Sequence, residues 1–340
     1  MKILLVSYSF CPTVGGIETV GRLLADQWHK AGHHVIVVTQ TPSREAEEFP
    51  YKIVRRPSPF RLLSLAIWTD VFFHNNISLR FAWPQLMVRK PFFVTHHTWL
   101  AHGHKPSHPV VQIKRFVAKH ARNIAISQAM HDDLGLAGTD IVYDPYDDSI
   151  FHNSPASVGE TSDFLFVGRL VRDKGVDIFI RALGELHAQG LSFKASVAGD
   201  GPIRQEAEDM VNALGLNKTI RFLGALNSHH LADCYRSHRI LVVPSRWNEP
   251  FGIVAVEGIA CGCFVVGSNG GGLLEAIGPC GATFPNGSIK DLTALLHRLI
   301  TDPTPISGIQ IHRKPHLSRL SAQRVASSYV EKFNRALANA

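Results

Sequence analysis

The chain has 340 residues, 45% hydrophobic and 19% charged, with Gly and Pro spread along its length. This excludes a mainly disordered chain and predicts two domains of similar size, since a single core rarely grows so large. Lys and Arg outnumber Asp and Glu by 35 to 28, a net charge of +7 that favours anionic partners, although the lack of any dense basic run interleaved with aromatics, or of zinc-finger or RNP-like motifs, argues against nucleic acid.

Five scattered cysteines, Cys11, Cys234, Cys261, Cys263 and Cys280, contain no Cys-x-x-Cys, which argues against a disulfide framework or zinc site and for a reducing cytoplasm. Lys2 followed by Ile3–Val6 is too short for a signal peptide. No apolar run reaches the ~18 residues that cross a bilayer, so any membrane contact is expected at its surface. Asp-x-Asp, His-Glu-x-x-His and a Walker lysine loop are all missing, so no metal or P-loop chemistry is expected.

Short apolar runs alternate with helical spacing throughout, the pattern of βαβ units and parallel sheets buried on both faces. Strands are predicted at Ile3–Val6, Val35–Val38, Val71–Phe73, Phe92–Val94, Ile124–Ile126 and Ile141–Val142. Between the first two, Val20, Leu23, Leu24 and Trp28 keep helical spacing within Glu18–Ala31, closed by Gly32. The opening strand runs into Thr13-Val14-Gly15-Gly16-Ile17-Glu18, where bare backbone N–H groups can approach an anion at a helix N-terminus. A plain tight turn reads equally well there.

Residues 51–73 combine Lys52, Arg55, Arg56 and Arg61 with Phe60, Leu62, Leu63, Leu65, Ile67 and Trp68. That stretch reads as a surface loop followed by a core helix, or as a helix docked on anionic lipid. His96 and His97 follow the strand Phe92–Val94 at its carboxyl end, where open α/β sheets bind ligands and a His can donate to a ligand hydroxyl or to developing charge.

Polar, turn-rich residues from Asp144 to Ser162 place a domain boundary, giving domains 1–155 and 156–319. A last helix, about Leu320–Leu337 within 320–340, follows a Pro- and His-rich segment from Pro303 to His316 and is expected to pack back on the first domain. Strands of the second series are predicted at Phe164–Val167, Phe193–Val197, Ile220–Phe222, Ile240–Val243, Phe264–Val266 and Ala282–Phe284.

After the first of these come Gly168-Arg169-Leu170 and Lys174-Gly175. Arg169 as a fork and Lys174 as a point charge would suit a diphosphate, because cations before a helix N-terminus oppose the macrodipole unless an anion joins them. Gly199-Asp200-Gly201-Pro202 reads as a structural turn with Pro202 at the first helical position. The richest segment is Val243-Pro244-Ser245-Arg246-Trp247-Asn248-Glu249-Pro250-Phe251-Gly252, running into a helix over Ile253–Cys261 that contains Glu257. One carboxylate can accept from sugar hydroxyls, the N–H groups of Phe251, Gly252 and Ile253 can hold phosphate, and the other carboxylate can accept both ribose hydroxyls. Taken singly, each acid reads better as an ordinary residue at or within a helix, with Pro250 at the first position.

The Glu249-x7-Glu257 segment, with Cys261-Gly262, Gly168-Arg169-Leu170, Lys174-Gly175 and Gly15-Gly16-x-Glu18, resembles family 4 of the retaining glycosyltransferases. The resemblance covers nearly the whole chain and implies a GT-B fold: two Rossmann-like, doubly wound α/β domains facing each other across a cleft, with the acceptor bound by the first and the nucleotide sugar by the second. It further implies that Glu249 contacts donor-sugar hydroxyls with help from Phe251 and Gly252, that Glu257 holds the ribose, and that Arg169, Lys174 and the Gly16 backbone meet the diphosphate. His96 would touch the sugar near its 6-position, and the base would rest near Leu223 and Gly224. The partners implied are a UDP-, GDP- or ADP-sugar and a glycan or glycolipid acceptor, with front-face transfer and no cofactor. Two departures stand out: Gly258 where Ala is usual, and Tyr143-Asp144 in place of Pro-Asn. The competing readings are a nucleotide-sugar 2-epimerase and a silent sugar-nucleotide-binding protein.

Overall fold

The computed structural model describes residues 1–13, 15–43, 48–101, 103, 105–154 and 162–339. The chain divides into two compact units, Met1–Tyr146 with Leu320–Ala340, and Asp147–Arg319. The domain boundary expected at 155/156 and the loop residue Val14 lie outside the described residues.

The first unit is built on a seven-stranded sheet: β1 (Lys2–Val6), β2 (His34–Thr39), β3 (Lys52–Arg55), β4 (Val71–Asn75), β5 (Phe92–His96), β6 (Arg122–Ala125) and β7 (Asp140–Ile141). All pairs are parallel, in the order β3-β2-β1-β4-β5-β6-β7. Its central strands are runs of Ile, Leu, Val and Phe because both faces are covered. Helices α1 (Gly16–Lys30), α2 (Pro59–Trp68), α3 (Leu79–Ala82), α4 (Pro109–Lys119) and α5 (Gln128–Leu134) lie between the strands, with a 3-10 turn at Trp83–Leu86.

Alternation along the strands sorts the two cores. Leu4, Val6, Phe72 and Val94 pack with Leu62 and Leu65 of α2, Phe81 of α3, Ala118 of α4 and Met130 of α5. Phe73 turns the other way, towards Trp28 of α1, which also meets Tyr329 and Phe333 of the C-terminal helix, Ala322–Ala338, at ring separations of 5.3 to 5.9 Å. The Trp28 indole N–H is satisfied by the Ala326 carbonyl at 3.1 Å. Strand β3 falls within the stretch expected as a surface loop. It is a four-residue edge strand, Lys-Ile-Val-Arg, with no fully buried residue.

The second unit has a six-stranded parallel sheet: β8 (Ser162–Val167), β9 (Ala195–Ala198), β10 (Ile220–Gly224), β11 (His238–Val243), β12 (Phe264–Ser268) and β13 (Gly281–Phe284), in the order β10-β9-β8-β11-β12-β13. The helices are α6 (Val176–Ala188), α7 (Arg204–Ala213), α8 (Ser228–Arg236), α9 (Ile253–Cys261), α10 (Leu273–Ile277), α11 (Ile289–Thr301), α12 (Thr304–Gly308) and α13 (Gln310–Ser318). Pro202 sits in the turn ahead of α7 and is not its first residue, and α9 likewise starts three residues beyond Pro250. In each sheet the winding direction reverses, between β1 and β4 and between β8 and β11. Carboxyl ends of strands beside such a reversal are where open α/β sheets receive ligands.

Candidate functional site

In the second unit, the loops after β8 and β11 flank the reversal point. Lys174 ends a 3-10 turn at Arg172–Lys174 that leads into α6, and Glu249 lies in the loop between β11 and α9. The ammonium of Lys174 and the hydroxyl of Ser245 both donate to Oε1 of Glu249, each at 2.6 Å. Two charge-assisted bonds to one oxygen fix the carboxylate and leave its other oxygen available, while Lys174 retains two further N–H donors.

This junction is clamped from both sides. Arg246 forms a two-pronged pair with Asp177 in the first turn of α6, at 2.5 and 2.6 Å, and its backbone N–H donates to the Asp173 carbonyl. Gly175 adopts φ 72°, and a Cβ there would lie 2.0 Å from the Pro244 carbonyl oxygen. No other residue lets the two loops approach so closely, which gives the Lys174-Gly175 pair a mechanical reason.

Arg169 lies in the loop after β8, exposed, and its guanidinium makes no ion pair or side-chain hydrogen bond among the described residues. The cation expected to act beside Lys174 is therefore not bonded into the Glu249 cluster. Leu223 and Gly224 end β10, where the Gly224 carbonyl accepts from Gly199 N–H at 2.8 Å.

Helix α9 is buried along nearly its whole length, which is why its sequence is apolar all round. Gly252 caps its start at φ 111°, and among the described residues no side chain bonds the first-turn N–H groups, which suits them to an anion. Phe251 is buried, so its side chain serves the core and only its backbone faces this role. Glu257 projects from the middle of α9, with its Oε2 accepting from the Tyr235 phenol at 3.2 Å. Burial pushes its carboxyl up to about 8, the nearby Asp147 charge adds to this, and the Tyr235 hydrogen bond opposes it. Gly258 is also accounted for: a Cβ there would meet Leu241 Cδ2 at 2.5 Å, so the bare α-carbon makes room for the Leu241 side chain on β11.

In the first unit, Gly16 opens α1 and Gly15 caps it in extended conformation at φ 176°, both beyond β1. His96 ends β5, fully buried. Its Nε2 donates to Asn123 Oδ1 at 2.9 Å, an assignment fixed because the Asn123 amide N–H groups are given to the Ala118 and Ala121 carbonyls. Burial holds the ring at about 4, hence neutral, and its Nδ1 has no hydrogen-bond partner among the described residues. The expected donor is therefore an acceptor: a ligand hydroxyl would have to give its proton to Nδ1. His97 Nε2 bonds Asn75 Oδ1 at 2.9 Å, and its Nδ1 stands 3.1 Å from Asp144 Oδ1. Asn75 in turn reaches Ser7 Oγ and the Ile17 carbonyl, tying the carboxyl ends of β1, β4 and β5 together.

Sequence patterns single out Glu249, Lys174 and Glu257 but give no role to Ser245, Tyr235, or the Arg246–Asp177 clamp. Ser245 lies in the richest segment, four residues before Glu249, and that spacing was its only signal. Among the described residues, no group of three or more His, Cys, Asp or Glu side chains gathers to hold a metal ion.

Residues 147–314 match the family of glycosyl transferases group 1, and residues 14–141 match glycosyltransferase family 4. An uncharacterized glycosyltransferase of Methanocaldococcus jannaschii is 41% identical over 128 residues, 37% of this chain and 32% of that protein. A D-inositol 3-phosphate glycosyltransferase of Rhodococcus opacus is 30% identical over 183 residues, 51% of this chain and 41% of that protein. The chain thus spans under half the length of these curated relatives. In structure it is similar to Anabaena HepE, solved in complex with UDP, with a TM-score of 0.84 at 21% identity over 98% of this chain and 100% of the other. Sucrose-phosphate synthase from Thermosynechococcus elongatus gives a TM-score of 0.80 at 19% identity over the whole of both chains. These neighbours share the GT-B fold of two Rossmann-like domains.

Proposed function

We propose that this chain, which belongs to glycosyltransferase family 4 with a group 1 glycosyl transferase second domain, is a retaining hexosyltransferase of the cytoplasm. It moves a sugar from a UDP-, GDP- or ADP-linked donor to a hydroxyl of a glycan, glycolipid or small-molecule acceptor, without a metal. The observation that carries this reading is the Lys174–Glu249–Ser245 junction at the reversal point of the second sheet. A carboxylate held by an ammonium and a hydroxyl can accept from sugar hydroxyls while the same ammonium reaches the phosphates.

In the proposed reaction the bond from the anomeric carbon to the diphosphate oxygen breaks, the acceptor oxygen bonds that carbon on the same face, and the acceptor proton passes to the departing diphosphate. Lys174 and Arg169, with the N–H groups at the start of α9, stabilise the negative charge as it develops. Glu249 orients the sugar and Glu257 accepts from the ribose, while in the first unit His96 accepts from a ligand hydroxyl through Nδ1. A nucleotide donor is supported by UDP and UDP-glucose bound in HepE, and an acceptor with a hydroxylated ring by the inositol phosphate acted on by the Rhodococcus relatives.

Mass spectrometry of products from a panel of UDP-, GDP- and ADP-sugars tests this. Transfer, or slow donor hydrolysis without acceptor, is the expected result. An epimerised donor, or binding with no turnover, overturns it.

A further inference from the structure

In the first unit, α2, the Trp83–Leu86 turn, α3 and α4 form one layer over the sheet, with α2 touching the turn, the turn touching α3, and α3 touching α4. Its inner side chains close the core described above. Its outer side is apolar where solvent would favour polar groups. Ten large hydrophobic side chains are exposed among the described residues of the whole chain, and six belong to this layer: Phe60 and Ile67, Leu86 and Met87, Ile113 and Phe116. Phe60 is 87% exposed and Leu86 84%. Scattered exposed hydrophobics need no explanation, but six on consecutive, touching elements mark a docking surface.

The charge of the same stretch says what docks. Between residues 52 and 122 the sequence holds twelve Lys or Arg and a single carboxylate, Asp70. That is a net +11 within a chain of +7, so the remaining residues sum to −4. Arg61, Arg80, Arg89, Lys105 and Lys119 are exposed and form no ion pair among the described residues.

We infer that this layer seats on the surface of an anionic lipid bilayer, with Phe60, Leu86 and Phe116 entering the boundary between headgroups and acyl chains and the cations meeting headgroup phosphates. A second copy of the chain is a poor occupant, because two surfaces that both expose cations and no carboxylate partner repel. Nucleic acid would match the cations but leaves the aliphatic side chains of Ile67, Leu86, Met87 and Ile113 without a partner, since stacking on bases needs a planar group. The inference rests on the transferase reading only in making the acceptor a glycolipid held at that surface.

The test is co-sedimentation of the full chain with vesicles of phosphatidylcholine, with and without phosphatidylglycerol, at low and high salt. Binding to the anionic vesicles is expected to be roughly tenfold or more tighter than to neutral ones and to weaken with salt. The variant Phe60→Ser/Leu86→Ser/Phe116→Ser should lose at least that tenfold, and Arg61→Glu/Arg89→Glu/Lys119→Glu should bind both vesicles alike, each with unchanged circular dichroism. Equal binding to both vesicles by the native chain, anionic binding indifferent to the apolar triple variant, or a dimer in solution that this variant abolishes would each overturn the inference. Donor binding on the same preparations separates it from the reading of function. Lost vesicle binding with sugar nucleotide still bound removes only the membrane surface, and vesicle binding by a chain that binds no sugar nucleotide removes only the transferase.

Discussion

Glu249 and Glu257 are the same residue type at the same depth, each 8% exposed, yet their surroundings treat them in opposite ways. Glu249 lies in a loop against a lysine and a serine, with two donors on one oxygen. Glu257 lies within an apolar helix with one phenol, and burial drives its carboxyl up to about 8. Equal depth therefore goes with unequal surroundings: one acid is supplied with an ammonium and a hydroxyl, the other with a single phenol. The first carboxylate is prepared for a ligand whose position matters during reaction, and the second becomes a full acceptor only when a ligand brings hydroxyls to it.

The largest expected effect falls on the Glu249 side. Lys174→Ala should lower turnover at saturating donor by about 10²–10³-fold, the scale of removing one preorganised donor from developing charge. It should also lower the melting temperature, because it strands a buried carboxylate. Lys174→Ala/Glu249→Gln should regain that melting temperature without regaining activity. If the single variant kept full turnover, the contrast between the two acids would lose its catalytic half.

Next comes nucleotide affinity on the Glu257 side. Glu257→Gln should weaken binding of the nucleoside diphosphate by roughly tenfold or more, the worth of charged hydrogen bonds. Native affinity, followed by calorimetry, should climb as pH rises towards about 8 and level off above it, because ribose hydroxyls donate to the ionised form. In the Gln variant the profile should be flat. A native profile already flat between pH 6 and 9 would make the two acids alike.

Stability should move the same residue the other way. Since the folded-state value is raised from 4.5 to about 8, the native state holds a proton that the unfolded chain releases. Its contribution is fully present below about 4.5 and lost as pH rises through about 8. Thermal melts should therefore show Glu257→Gln gaining on the native chain between pH 6 and 9. The smallest effect belongs to Tyr235→Phe: loss of one neutral donor should cost a few-fold in nucleotide affinity at neutral pH and shift the midpoint of the pH profile above that of the native chain.

Much of the fold was legible because parallel strands covered on both faces are written as apolar runs. Among the described residues, eleven of the thirteen strands follow such runs with ends shifted by a residue or two, and β7 follows from two residues alone. Strand β3 was missed because it is a short edge strand with a cation at each end, and its pairing with β2 is a matter of backbone register that composition does not record. At the site, the sequence pointed to Glu249, Glu257 and Lys174 but not to their pairing, since Lys174 and Glu249 are 75 residues apart. It could not reveal that Tyr235, on a different helix, would meet Glu257, nor that the Asn123 amide would turn His96 from donor to acceptor. Side-chain networks between distant segments leave no periodic trace.

The missing methyl at Gly258 carries a consequence for how this chain can change. Helix α9 and strand β11 share a fixed volume at that point, filled from the strand side by Leu241. Gly258→Ala alone overfills it and presses on the helix that carries Glu257, whereas a smaller residue at position 241 would admit the methyl. A change at either position is thus easier to accommodate when the other changes with it.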